Sequence, residues 1–156
     1  MKYKHLLLFL LCIIICVSCT SCLTLELVYR IQEKHYYSDK SNFVAVEATC
    51  AEFSVFERPP DCYYVIVQNM VYEKSSQCRF VDIHFDVDKV SSKILREAGI
   101  EEKLTPGTTF TFYSAPEYFG DGYWYPIVGL EINGEVLLDF DTGYRNLMAT
   151  YGVRVP

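Results

Sequence analysis

A mainly β domain, a small barrel with one helix between its third and fourth strands, is predicted by three features. Apolar residues alternate in short runs bounded by Gly, Pro and Asn. Between the third and fourth runs, over residues 88–99, the spacing switches to the three-to-four period of an amphipathic helix. The chain has 156 residues, 51% of them apolar, with 10 Phe, 13 Tyr and 1 Trp, which fits a single aromatic-rich core.

Residues 43–57 read as a long first strand. Val44, Val46, Ala48 and Cys50 share one parity while Phe53 and Val55 have the other, which predicts a β-bulge near Ala51 and Glu52. Arg58-Pro59-Pro60-Asp61 is a turn, because two prolines cannot continue a ladder. Residues 62–72 (Tyr63, Tyr64, Val65, Ile66, Val67) form the second strand. Residues 79–85 form the third, with Val81, Ile83 and Phe85 on one side and Phe80, Asp82, His84 and Asp86 on the other.

Val90, Ile94, Leu95 and Ala98 then make an apolar helical stripe, with Asp88 as N-cap and Gly99 as the left-handed stop. Ile100 and Leu104 are expected beneath it, and Pro106-Gly107 turns the chain into a fourth strand, 108–113. Residues 127–132 and 135–140 pair as a hairpin around Asn133-Gly134, a dipeptide suited to the tight turn. Residues 141–151 close as a short helix. Three strands, a helix, then two or three strands is the order of the OB-fold, a small Greek-key barrel. Another small α+β sheet is the alternative.

Ahead of this domain lies an address. Lys2 and Lys4 precede a segment with no formal charge from residue 5 to residue 25, the n-region and h-region of an export signal. Val17-Ser18-Cys19 resembles the end of a bacterial lipobox, which makes Cys19 the expected lipidation site. Thr20-Ser21-Cys22 offers Cys22 as the alternative. In both, a Cys stands where the lipobox has Leu. Residues 6–25 are also about long enough to cross a hydrocarbon core of roughly 30 Å as a retained anchor, and a cleaved, free secreted protein is the third option. Residues 1–22 are thus a signal, lipoprotein or anchor segment. Residues 23–42 are a stalk, and 43–156 the barrel domain on the outer, extracytoplasmic face of the cell membrane.

Lys2 and Lys4 are the only charged side chains before Glu26, so the other twelve basic residues meet all twenty acids, a net charge of −8. Such a domain repels phosphate backbones, and nucleic acid is not an expected partner. Of the seven cysteines only Cys50, Cys62 and Cys78 lie in the exported domain; three is odd, so at least one is free or intermolecular. If the first hairpin turns at residues 58–61, residue 50 lies opposite 69, which argues against a direct Cys50–Cys62 bridge.

The sequence has no G-x-S-x-G, Walker loop, H-E-x-x-H or helix-opening G-x-G-x-x-G. His84 with Cys78 or Cys50 would be the thiol–imidazole pair of a hydrolase, but no nucleophile signature surrounds them. Asp82, His84, Asp86 and Asp88 recur at i, i+2 and form a weak divalent-metal candidate. The same pattern is that of a solvated strand face. No catalysis and no cofactor are expected.

One stretch is distinctive: Tyr118-Phe119-Gly120-Asp121-Gly122-Tyr123-Trp124-Tyr125-Pro126-Ile127-Val128. With Tyr37-Ser38-Asp39-Lys40 upstream, Ala98-Gly99-Ile100, and Leu137-Leu138-Asp139-Phe140 downstream, it resembles a family of small, membrane-tethered Firmicutes proteins with a Tyr-Phe-Gly-Asp-Gly-Tyr segment before a Pro-Ile-Val strand. The resemblance covers residues 37–146. It implies a Gram-positive source and the same architecture, with no assigned activity. Physically, Gly120-Asp121-Gly122 is a tight turn, and Trp124, Tyr123, Tyr118, Phe119 and Tyr125 are either core plugs or aromatic contacts for a sugar ring or a partner. The expected function is an extracytoplasmic binding module recognising cell-wall glycan through this loop. The alternative is a protein-interaction subunit of a membrane complex, and a metal-dependent enzyme ranks last.

Overall fold

The computed structural model describes residues 27–56, 62–71, 81–115 and 124–155, with backbone alone at Phe56, Cys62, Asn69, Val71, Val81, Asp82, Asp86 and Trp124. Two units divide the chain, 1–35 and Tyr36–Pro156. Of the first, the described part is helical from residue 27, in a helix (α1) that runs to residue 37. Among the described residues no helix is long and apolar enough to cross a membrane. The signal or anchor expected over 1–22, with Cys19 and Cys22, lies outside them.

The second unit is a mixed α+β domain. Its strands are β1 (Val44–Phe56), β2 (Cys62–Val71), β3 (Val81–Asp86), β4 (Thr109–Ser114), β5 (Trp124–Pro126), β6 (Gly129–Ile132) and β7 (Glu135–Leu138). Between β3 and β4 come α2 (Lys89–Glu97) and the single turn α3 (Ile100–Lys103), and α4 (Phe140–Thr150) follows β7. The strands form one sheet in the order β5-β3-β2-β1-β4-β6-β7. All pairs are antiparallel except β3 with β5. The ends of this order, β5 and β7, do not pair with each other. The expected closed, OB-like barrel is therefore corrected to an open sheet, and the small α+β sheet held as the alternative describes the domain. Alternation alone cannot separate the two, since barrel and open sheet bury one face of each strand in the same way.

The expected bulge in β1 is present. Its register to β2 shifts between Cys50 and Glu52 and again between Glu47 and Thr49, so Cys50 lies opposite Val67 rather than residue 69. The extra residue restores parity: Val46, Ala48 and Cys50 before the shift and Phe53 and Val55 after it all pack on one core. That core adds Tyr63, Val65 and Val67 from β2, Ile83 and Phe85 from β3, Phe110 and Phe112 from β4, and Leu130 and Ile132 from β6. Leu95, Ile100 and Leu104 cover it from α2, α3 and the loop after α3.

Helix α2 starts where expected. Asp88 Oδ1 accepts the Val90 and Ser91 amides at 2.9 and 3.0 Å, and Gly99 (φ +76°) takes the left-handed stop. Its buried face differs from the expected stripe. Val90 is exposed, and Ser91 and Ser92 are buried with Leu95. The Ser91 hydroxyl has a polar partner, since Asn146 Nδ2 donates to its Oγ at 3.1 Å, and the Tyr63 hydroxyl donates to the backbone carbonyl of Ser92 at 3.3 Å.

The β6–β7 hairpin turns on Asn133 (φ +52°) and Gly134 (φ +81°), both left-handed as the tight turn requires. Strand β7 ends at Leu138 rather than continuing to 140, because Asp139 caps α4: its Oδ2 accepts the Thr142 amide at 2.9 Å. These hydrogen bonds from Thr142, helped by Arg145, hold the Asp139 carboxyl below the usual carboxylate value. A lowered folded value stabilises above the unfolded pKa of about 3.9 and loses that contribution as pH falls through the folded value. Asp139→Ala is therefore expected to cost about 1 kcal/mol at pH 7 and measurably less near pH 2, where the protonated carboxyl keeps only the capping of a neutral acceptor. Urea unfolding at the two pH values checks this; an equal cost at both would contradict it.

A second cluster lies where Phe43, Tyr113 and Gly129 share the opposite sheet parity. It joins Phe43, Ala115 and Val128 to Tyr144, Leu147 and Met148 of α4, and it contains Tyr37, 1% exposed. Residues 36–42, assigned to the stalk from sequence, thus belong to the second unit. Tyr144 donates to the Ser38 carbonyl at 2.9 Å, and Lys40 meets Asp141 at 2.7 Å.

Candidate functional site

The two faces of the sheet have different fates. Core packing takes Tyr63, Val65, Val67, Ile83 and Phe85 on one side. Their neighbours in sequence, Tyr64, Ile66, Gln68 and His84, point to the other side by the pleat and are half-buried. Next to them on β1, Glu47 and Glu52 are exposed and Thr49 and Ser54 half-buried.

Register then builds a row across four strands. Ser54 pairs with Tyr64, Tyr64 with His84, and His84 with Trp124. The Tyr64 and His84 rings are 5.0 Å apart between centroids, tilted by 52°. A second row beside it pairs Glu52 with Ile66 and Ile66 with Asp82. An aromatic ring on a face that also carries the Glu47 and Glu52 carboxylates, the Gln68 amide and the Thr49 and Ser54 hydroxyls offers the groups that sugar recognition uses: stacking on the ring, with hydrogen bonds given by amide and hydroxyls and accepted by carboxylates.

The sequence-derived aromatics separate. Tyr125 is half-buried and packs edge-on against Phe112 at 6.0 Å on the main core, so its ring serves packing. The Trp124 backbone lies in β5, which borders β3, and joins the Tyr64–His84 row. Tyr118, Phe119 and Tyr123, with the Gly120-Asp121-Gly122 turn, lie outside the described residues, as do residues 57–61 and Cys78. Sequence reasoning missed Tyr64 and Ile66, taken only as β-formers. The parity of β2 carried the signal, since Tyr63, Val65 and Val67 fill the buried positions.

Of the four metal candidates, His84 and Asp88 have described side chains. Asp88 lies beyond β3, after the buried Val87, and its Oδ1 is engaged with two α2 amides. His84 lies against Tyr64. The carboxylates of Asp82 and Asp86 are outside the described side chains. Among the described residues no group of three or more His, Cys, Asp or Glu could hold a metal ion.

Cys50 is a free, buried thiol in the middle of β1, and burial pushes its pKa up. A thiol that is both inaccessible and protonated reacts slowly. Maleimide labelling read by peptide mass mapping is expected to modify Cys50 only in urea. Labelling in native buffer would contradict its placement.

No family model matches the chain, and neither a curated protein nor a solved structure is detectably similar to it.

Proposed function

We propose that the chain is a membrane-tethered, extracytoplasmic binding module without a catalytic step, which takes cell-wall glycan on the β2–β3 face bordered by β5. The Ser54–Tyr64–His84–Trp124 row carries this reading, because it sets His84 beside the backbone of the one tryptophan and Tyr64 one strand further along the same row. The basic start and charge-free stretch of residues 1–25, which read as an export signal, support the compartment.

A direct experiment sediments the fragment 32–156 with purified sacculi. Wild type is expected to bind, and Tyr64→Ala and Trp124→Ala each to weaken binding by roughly three- to tenfold, the worth of one aromatic contact. Three equal affinities, or no binding by wild type, would overturn the reading.

A second reading has its own observation. Glu47 and Glu52 are exposed on the same face, and a protein partner with a basic patch would meet them there. Such binding weakens steeply between low salt and physiological salt, whereas ring stacking does not.

A further inference from the structure

We infer that residues 27–31 lie in the headgroup layer of a lipid bilayer, an inference that rests on the membrane-tethered reading. Leu27, Val28, Tyr29 and Ile31 are 59%, 49%, 60% and 58% exposed. Exposed large apolar side chains are normally scattered singly. Here four of the six found among the described residues fall within five positions.

Their arrangement selects the occupant. At about 100° per residue, Leu27, Ile31 and Val28 span one arc of α1, and Tyr29 stands a further 100° beyond. A protein groove takes a single apolar stripe. Apolar side chains spread over more than half the circumference call for a medium on several sides. Position in the chain identifies that medium as lipid, since the stretch follows the segment that carries no charge from residue 5 to residue 25. Tyr29 and Arg30 are residue types of the membrane–water interface, with an apolar body and a polar tip. From residue 27 to residue 31 a helix rises about 6 Å, comparable to the depth an interfacial helix occupies. Gln32-Glu33-Lys34-His35 then returns the chain to polar side chains before Tyr36, where the second unit starts. The placement is the same for a retained anchor and for a chain lipidated at Cys19 or Cys22, since both keep residues 27–31.

The full chain, carrying Tyr29→Trp in a Trp124→Phe background, is reconstituted in phosphatidylcholine–phosphatidylglycerol vesicles with or without brominated acyl chains. The expected result is flotation with the vesicles, loss of indole emission to the bromines and protection from acrylamide. Leu27→Trp in the same background is expected to behave alike, so one poorly folding variant does not decide the outcome. Flotation with acrylamide quenching and no bromine quenching would place the stretch in water. Quenching by neither would mean that a second copy or a protein partner covers it. Either result overturns this inference and leaves the tether standing; absence of flotation overturns both.

Discussion

Gly143→Ala is expected to destabilise the domain by about 3 kcal/mol or more, although alanine is the better helix former. Gly143 lies inside α4, where propensity alone would favour alanine by about 1 kcal/mol. Close approach decides the sign. A Cβ on Gly143 would stand 2.2 Å from the Val128 carbonyl oxygen, 2.7 Å from its carbon and 2.9 Å from its Cα. All three are backbone atoms of the segment leading into β6, so no rotamer change relieves the clash. The helix must back away, and Tyr144, Leu147 and Met148 withdraw with it from the second cluster. Urea unfolding of the fragment 32–156 is expected to show the midpoint lowered by about 1 M or more. Unchanged or raised stability would mean that α4 does not seat on Val128 at this distance.

The second large effect is expected at Phe112. Its side chain is wholly buried at the centre of an aromatic group: Phe85 at 5.2 Å, Phe110 at 5.8 Å and Tyr125 at 6.0 Å between centroids. Phe112→Ala removes the ring that joins β3, β4 and β5 through these contacts, and the surrounding rings are too stiff to fill the space. The expected cost is about 3–5 kcal/mol, a large share of the roughly 5–15 kcal/mol that holds an ordinary domain together. Phe112→Leu, which keeps more of the volume, is expected to cost less than half as much. Equal losses from both variants would argue against a cavity as the cause.

Much of the local structure was legible in the sequence because short-range chemistry fixed it. Asp88 and Gly99 bracket α2, Asn133-Gly134 makes its hairpin, and the parity change after Cys50 marks a bulge. What was not legible depends on distant partners. Strand β5 is three residues long and pairs in parallel with β3, a choice made across the sheet rather than within the segment. The apolar run through Leu138 read as strand to residue 140 until Asp139 capped a helix there. Val90 is exposed while Ser91 and Ser92 are buried, and the partner of the Ser91 hydroxyl, Asn146, comes from an element far away in sequence. The candidate site divided in the same way. Trp124 could be singled out by composition, whereas His84 becomes its neighbour, and Tyr64 the neighbour of His84, only through register.

If the β2–β3 face is a binding surface, Trp124, whose backbone borders it in β5 and which is the only tryptophan in the chain, reports on it directly. Acrylamide quenching of the fragment 32–156 measures whether that indole meets water. The account predicts ready quenching in the free protein and marked protection when soluble cell-wall fragments are added. A Trp124 already protected in the free protein would make the aromatic segment a part of the core, and the glycan-binding surface would be contradicted.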